Sequence, residues 1–202
     1  MIENPKQFLI DNFAYRLGER HPNANVQVGC GNPMGSIVIV QPHRKFPERD
    51  AVTGALKRFG MLDQAFRTTS VLVDHEMPDV EYPDVLRQND RGEKPLTQAQ
   101  MNRAYLIELL EIIRPMLVIA CGPDVLSCLA GREIQRFGHY TGKSIEISDL
   151  DGMTVCVTLN PMDYGFARAS EDLKQQGKNE WEAISDYYHR ERKRREDLRW
   201  AM

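Results

Sequence analysis

The stretch LIELLEIIRPMLVIACGPDVLSCLAG (106–131) decides the fold of this chain. Apolar residues at helical spacing end at Pro115, and MLVIAC (116–121) is a continuous apolar run, typical of a strand buried on both faces. A short helix follows, with Pro123 near its start and Gly131 just past its end. Helix, buried strand and helix in this order indicate a parallel α/β protein.

The same alternation continues on both sides of this stretch. Upstream, we expect a helix over 5–19, an irregular segment over 21–35, a buried strand SIVIVQ (36–41), a helix AVTGALKRF (51–59) capped by Asp50 and a second buried strand TTSVLV (68–73). Downstream, we expect strands KSIEIS (143–148) and MTVCVTL (153–159) joined by a turn, an irregular segment over 160–170, and a basic C-terminal helix over about 179–200, with Ser170 or Asn179 capping helical material. The predicted fold is one domain, 1–202, a three-layer α/β/α sandwich with a central, mostly parallel sheet of four to five strands.

Composition excludes several classes of protein. The chain has 202 residues, 42% of them hydrophobic, and a formal net charge of −3, which argues against coating nucleic acid by bulk positive charge. Mean hydropathy is −0.48 and no apolar run approaches the ~18 residues of a membrane span. We read no signal peptide and expect a cytoplasmic protein. The four cysteines form no CxxC pair, so we expect small buried side chains, with no metal site or iron–sulfur cluster.

Charge is distributed unevenly along the chain. Residues 74–93 carry a net charge of −5, whereas residues 41–60 and residues 189–199 each carry +3. Charge runs are commonly solvated faces, but a locally basic rim is also compatible with binding a phosphate backbone. The acidic segment would bind sugar hydroxyls or act as a mobile lid.

Sites in parallel sheets lie in the loops beyond the carboxyl ends of the strands. In this sequence those loops are QPHRKFPERD (41–50), VDHEMPD (73–79), CGPD (121–124) and LNPMDYGF (159–166).

These four loops, in this order, resemble the uracil-DNA glycosylase superfamily over residues 26–188. GNPMGSIVIVQP (31–42) is similar to the opening motif of the family, and TVCVTLNPMDY (154–164) stands where the family has a strand ending in His-Pro-Ser or Asn-Pro-Ser. The stretch 106–131 is the most specific match, since it resembles the family in a helix, a Pro-initiated strand and a Gly-led helix.

The resemblance implies an enzyme that flips a nucleotide out of duplex DNA and cleaves its N-glycosidic bond, leaving an abasic site. In the family, the first loop handles the attacking water and supplies an aromatic residue that stacks on the base. The end of the second strand supplies a base-reading amide. The last loop supplies His or Asn and an apolar wedge for the vacated stack.

The first loop departs from the family pattern, because Gln41-Pro42-His43 stands where a carboxylate is usual. Gln41 would orient a water but cannot be a base. Glu48 is the preferred general base or oxocarbenium stabiliser and Asp50 the other catalytic candidate, although a solvated loop acid is the simpler interpretation of Glu48 and a helix cap that of Asp50. The remaining candidates in this loop are His43 for base or phosphate contact, Phe46 for stacking or loop anchoring, and Arg44 and Lys45 for the DNA backbone.

Other candidates follow the later strands. Asn160 replaces the His of the family and would donate to the leaving base or a phosphate, unless it only forms an Asn-Pro turn. Asp74 and His75 are the polar residues at the base-reading position, where a carboxylate would accept from a cytosine-type amino group. Residues expected to form the wedge, to pack on the sheet or to contact DNA are Met162, Tyr164, Phe166 and Arg168.

The sequence therefore predicts a monomeric, cofactor-independent DNA glycosylase acting on a flipped modified base, a bulky pyrimidine other than uracil, in double-stranded DNA. The resemblance extends to members that defend bacteria against phages by excising glucosylated hydroxymethylcytosine. Two alternatives remain open at this point. One is a non-catalytic DNA-binding relative, and the other is an enzyme that uses the fold for different chemistry on a modified base or nucleotide.

Overall fold

The structure is a computed structural model that describes residues 4–42, 46, 50–75, 98–164 and 169–200, with the backbone alone at 98, 99, 162, 164, 199 and 200. The helices in these ranges are α1 (Pro5–Arg20), α2 (Ala51–Arg58), α3 (Gln98–Ile113), α4 (Pro123–Ala130), α5 (Pro161–Tyr164) and α6 (Glu171–Trp200). The strands are β1 (Asn25–Val26), β2 (Cys30–Gly31), β3 (Ile37–Gln41), β4 (Ala65–Thr69), β5 (Val73–Asp74), β6 (Leu117–Cys121), β7 (Ser144–Ile145) and β8 (Thr154–Thr158).

The main sheet has the strand order β2-β4-β3-β6-β8-β7. Its four central strands β4, β3, β6 and β8 are parallel, while β2 and β7 add antiparallel edges. The short strands β1 and β5 pair separately. The chain leaves β3 for β4 on one side and then returns to β6 on the other side, so the direction of strand addition reverses between β3 and β6. The predicted three-layer α/β/α sandwich with a mostly parallel sheet is confirmed.

Alternate residues of each central strand supply two cores, one on each face of the sheet. Val38 and Val40 belong to the core that packs under α1, α3 and α4, which contains Phe13, Leu109 and Leu129. The neighbouring residues Ile37 and Ile39 belong to the core under α2 and α6, together with Leu56, Trp181 and Tyr188. Both faces being covered explains why these strands read as continuous apolar runs.

The second strand was predicted wrongly. Instead of one strand over 68–73, the chain forms β4 at Ala65–Thr69, turns after Ser70 and then forms β5 at Val73–Asp74. The apolar-run criterion failed because Arg67 lies in the middle of β4, and a charged residue there interrupts the pattern. Arg67 is nevertheless buried, because side chains of neighbouring elements hydrogen-bond its guanidinium.

Three further predictions need correction. Residues 21–35 are not wholly irregular, since they contain β1 and β2; a Cβ at Gly31 would lie 2.5 Å from the Ala65 carbonyl oxygen, so glycine permits the close pairing of β2 with β4. The segment after Asn160 begins with the short helix α5. Helix α6 begins at Glu171, upstream of the predicted start near residue 179. Of the two predicted caps, Ser170 is confirmed, because its hydroxyl accepts from the Leu173 N–H at 3.2 Å.

Two smaller findings concern the surface. Cys30 is exposed on edge strand β2, which contradicts its predicted burial, whereas Cys121 and Cys156 are buried and Cys128 is half-buried. A helix that combines the length and the apolar character needed for a membrane crossing is not found in the described ranges.

Candidate functional site

The sheet defines a crevice at the carboxyl ends of β3 and β6, where the strand order reverses. In open parallel sheets ligands bind in such a crevice, because the two connecting chains run to opposite faces and leave a gap. Gln41 ends β3 and Gly122 follows β6, so these two residues mark the crevice. Its neighbours are the ends of β4 and β8, which pair with β3 and β6.

Gly122 brings the chain after β6 against the chain after β8. Its φ is +98°, and a Cβ placed on it would lie 3.2 Å from the Cβ of Asn160. The Gly122 N–H also donates to the Thr158 carbonyl at 2.9 Å. Asn160, expected from the sequence to be a donor, is therefore held at the carboxyl edge beside the crevice, and its carbonyl accepts from the Asp163 N–H at 2.9 Å.

Arg67 organises the other flank of the crevice. Its Nε and Nη2 donate to Gln41 Oε1 at 2.9 and 2.7 Å, its Nη1 donates to Thr53 Oγ1 at 2.9 Å, and its Nη2 also donates to Asp50 Oδ2. An arginine can only donate, so the amide oxygen of Gln41 is the atom that faces it. Orientation of a water by Gln41 would thus use the amide nitrogen.

Asp50 caps helix α2, as the sequence predicts, and also pairs with Arg67. Its Oδ1 accepts from the Thr53 N–H at 2.8 Å. Burial alone would raise the pKa of this carboxyl, but the hydrogen bonds from Thr53 and Arg67 and the positive charge of Arg67 outweigh it and hold the pKa below its usual range. Asp50 is therefore an ionised carboxylate with both oxygens engaged, which makes it a weak proton acceptor.

Phe46 lies on Arg67. The guanidinium carbon is 5.3 Å from the centroid of its ring, within the range of a cation–π contact. The side chain of Phe46 is half-buried. Phe46, which the sequence predicts either to anchor the loop or to stack on a base, therefore contacts Arg67 of β4.

Glu180 on α6 supports the end of β8. Its Oε2 accepts from the Thr158 hydroxyl at 3.0 Å and from the Leu159 N–H at 2.8 Å, and its Oε1 accepts from Gln176 at 3.0 Å. The residue is buried. Because Leu159 precedes Asn160, this carboxylate fixes the backbone from which Asn160 projects.

Cys121 ends β6 and is buried, and it is not a nucleophile. Burial raises the pKa of its thiol far above the ordinary value, and the nearby Arg67 lowers that pKa too little to offset burial. Only the thiolate is reactive, so this side chain stays an inert thiol at neutral pH.

The structure places Asp74 and His75, expected to read the base, against a different set of residues. The His75 ring lies 5.2 Å from that of His21, which in turn hydrogen-bonds Tyr105 Oη at 2.9 Å. Burial lowers the pKa of both histidines. The Asn102 side chain on α3 bonds both backbone groups of Val73 at 2.8 Å and so fixes this strand.

The remaining predicted site residues are only partly described. Met162 and Tyr164, for which the backbone alone is described, belong to helix α5. The prediction of an irregular loop is therefore wrong at these two residues. Predicted residues outside the described ranges are His43, Arg44, Lys45, Glu48, Phe166 and Arg168.

Sequence reasoning missed Arg67, Thr53 and Glu180. The available signal for Arg67 was a single arginine within an otherwise apolar run, AFRTTSVLV (65–73), because a charge in a buried strand needs partners.

In the described part of the chain, no group of three or more His, Cys, Asp or Glu is placed to hold a metal ion. Comparison with models of known protein families and with curated proteins gave no match.

Proposed function

We propose that this chain is a DNA glycosylase that flips a modified, bulky pyrimidine other than uracil out of duplex DNA and hydrolyses its N-glycosidic bond. The observation that carries the proposal is the crevice at the strand-order reversal, with Gln41 on one side and Gly122 and Asn160 on the other. These are positions that the sequence resemblance assigns to water handling and to the leaving base. A role in defence against phages with modified DNA belongs to the same proposal.

In this proposal Asn160 donates a hydrogen bond to the departing base. The base leaves as an anion, so a fixed donor stabilises the transition state more than the ground state. The support comes from its fixed setting, because Gly122 packs against Asn160 and Glu180 bonds the N–H of the preceding Leu159.

Glu48 is the proposed general base. Asp50 is poorly suited to this role, because its lowered pKa and its pairing with Arg67 make it a weak proton acceptor. Its proposed contribution is structural and electrostatic, at the start of α2.

A non-catalytic DNA-binding protein is the second candidate. The pairing of Asp50 with Arg67 favours it, because this pair neutralises a carboxylate that shares its arginine partner with Gln41. The fold would then recognise an extruded or damaged nucleotide without cleaving it.

One assay separates the two candidates. The protein is incubated with duplexes that carry uracil, hydroxymethylcytosine or glucosylated hydroxymethylcytosine at one position, and alkali then converts abasic sites into strand breaks. Breaks at a bulky modified base, with none at uracil, support the glycosylase. Binding without breaks on every duplex supports the second candidate.

Variants test the residue assignment in the same assay. We expect Asn160→Ala and Glu48→Ala each to slow cleavage by roughly 100-fold, the usual loss when one catalytic donor or base is removed. Glu133→Ala, an exposed acid in the turn after α4, is the matched control and should cleave at the wild-type rate. Full activity in both site variants contradicts the assignment.

A further inference from the structure

We infer that Arg67 is a positioning residue that fastens the chain between β3 and α2 to the sheet at three residues: its start, its middle and its end. The three residues are Gln41, Phe46 and Asp50. The inference deepens the proposed function, and it rests on that proposal only for the idea that Phe46 stacks on a base. The fastening itself stands on the contacts of Arg67.

Together the contacts use all three nitrogens of the guanidinium and its central carbon. Nε and Nη2 donate to Gln41 Oε1, Nη2 also donates to Asp50 Oδ2, and the guanidinium carbon lies over the Phe46 ring, 5.3 Å from its centroid. The third nitrogen, Nη1, bonds Thr53 Oγ1 at 2.9 Å and so adds the first turn of α2. A lysine cannot reproduce this set, because its ammonium has neither the planar fork nor the flat face.

Burial strengthens the attraction between Arg67 and Asp50. Arg67 is 7% exposed and the Asp50 side chain 15% exposed, so water screens their attraction weakly. Arg67 also pairs with Ile39 across the β3–β4 ladder, which fixes its backbone in the sheet. A side chain anchored in the sheet therefore holds Gln41, Phe46 and Asp50 in defined positions relative to β4.

The position of the Phe46 ring connects this fastening to function. One face of its ring meets Arg67, so the height and tilt of the ring above the sheet depend on the guanidinium. If Phe46 stacks on an extruded base, Arg67 acts on that base through Phe46. Arg67 is then a positioning residue and does not itself contact the substrate.

Limited trypsin digestion tests the fastening without any assumption about activity. Arg44, Lys45 and Arg49 lie between the fastened residues and are trypsin sites. We expect Arg67→Met and Arg67→Lys to raise cleavage at these sites about tenfold relative to cleavage after Arg136, an exposed residue elsewhere. A tenfold change corresponds to the loss of about 1.4 kcal/mol of closing free energy.

The matched control is Arg16→Met. Arg16 also combines an ion pair, to Glu108 at 2.7 Å, with a ring contact, to Phe13 at 5.8 Å, but it does so on α1. This control should leave cleavage at Arg44, Lys45 and Arg49 unchanged. Phe46→Leu removes only the middle contact and leaves the buried arginine paired, so it should raise cleavage at these sites by a smaller factor. This variant also tests the fastening in case the Arg67 variants do not fold.

Unchanged relative cleavage at the three sites in Arg67→Lys and Phe46→Leu overturns the inference. An equal rise at Arg136 also overturns it, because that result indicates general destabilisation.

A kinetic readout separates positioning from a purely structural role. On a duplex that the wild type cleaves, the double variant Arg67→Lys/Phe46→Leu should be no slower than the worse single variant, since both act through one ring. Additive losses contradict action through Phe46. If the wild type cleaves no duplex, the proposed function fails, whereas the trypsin result still decides whether Arg67 fastens the chain.

Discussion

At the scale of single residues, the carboxylate of Asp50 and the guanidinium of Arg67 determine the electrostatics beside Gln41. Asp50 accepts from Thr53 at the start of α2 and from Arg67 on β4. Its folded-state pKa lies below the ordinary value, so its stabilising effect is present at neutral pH and disappears as acid protonates it.

Asp50→Asn tests this pair. Asparagine also caps helices, so the variant removes the negative charge that pairs with Arg67 and largely keeps the cap. We expect a loss of roughly 2–4 kcal/mol at pH 7, because a buried arginine loses its counter-charge. The stabilising effect of the ionised Asp50 is complete above the ordinary aspartate pKa of about 3.9 and declines as pH falls through the lower folded-state pKa.

Urea unfolding of wild type and variant at pH 7 and at pH 3 measures this difference. The gap in unfolding free energy should be smaller at pH 3. A gap that does not change with pH contradicts the ion pair.

Gly122→Ala tests the approach of the β6 end to Asn160. The φ of +98° strains any side chain, and the added Cβ would lie 3.2 Å from Asn160 Cβ. Gly152→Ala is the control, because its φ is +71° and no atom lies within 4 Å of the added Cβ. We expect thermal unfolding to show a loss of about 1 kcal/mol for Gly152→Ala and about 1–3 kcal/mol more for Gly122→Ala. Equal losses contradict the close approach.

Residue-level prediction from sequence succeeded where the cause is local. Asp50 was recognisable as a helix cap because capping depends on the residue and the helix that follows it. The partnership of Arg67 with Gln41 joins residues of two different strands, and the contact of Gly122 with Asn160 joins the segments that follow two others. Such contacts depend on strand order, which local patterns do not specify.

At the scale of elements, helix α6 extends from the carboxyl end of β8 to its amino end. Glu180 contacts Leu159 beyond the end of β8, and Tyr187 Oη donates to Thr154 Oγ1 at the start of β8 at 3.0 Å. The helix therefore runs antiparallel to β8 and leaves the sheet at the amino edge. Beyond Tyr188 it is mostly exposed, over about 15 Å between residues 189 and 198.

Removal of this projecting part tests how α6 is held. A chain that ends at Glu191 keeps Trp181, Ile184 and Tyr188, which are buried, and loses mainly exposed residues. We expect its unfolding free energy to change by less than about 0.5 kcal/mol. Tyr188→Ala, which empties a buried site, should lose about 3–5 kcal/mol. A large loss on truncation contradicts the exposure of the projecting helix.

The junction of α1, β5 and α3 contains a pH-sensitive pair. Burial, the neighbouring His75 and Arg20 all lower the pKa of His21, so the folded protein resists its protonation. The unfolded chain then binds more protons, and stability falls as pH drops below the ordinary histidine pKa of about 6.5. His21→Gln, which retains a hydrogen-bonding group for Tyr105, should flatten this decline between pH 7 and pH 5, as measured by urea unfolding. An unchanged slope contradicts the buried neutral histidine.

Element prediction from sequence was strongest for the sheet centre. The stretch 106–131 formed helix, buried strand and helix as its periodicity indicates. Residues 65–74 were misread because β5 is two residues long and β4 contains Arg67, so neither has the pattern of a buried strand. The strands β1 and β2 are only two residues long, too short for an apolar pattern to predict them.

At the scale of the whole molecule, the candidate site lies at the carboxyl ends of the central strands, whereas the basic C-terminal part of α6 lies beyond their amino ends. Gln41 and Asn160 are at the carboxyl edge, whereas Arg194 and Arg195 follow the part of α6 that contacts the start of β8. The net charge of −3 is consistent with local rather than uniform attraction of DNA. In the proposed function, base recognition and bond cleavage both take place at the carboxyl ends of the strands.

Single-turnover cleavage of a duplex with one modified pyrimidine tests that placement most directly. We compare the wild type, Asn160→Ala at the carboxyl edge and the double variant Arg194→Ala/Arg195→Ala at the amino edge, at saturating protein. The account predicts a roughly 100-fold slower rate for Asn160→Ala and a wild-type rate for the double variant. A wild-type rate for Asn160→Ala, or a large loss in the double variant alone, would contradict it.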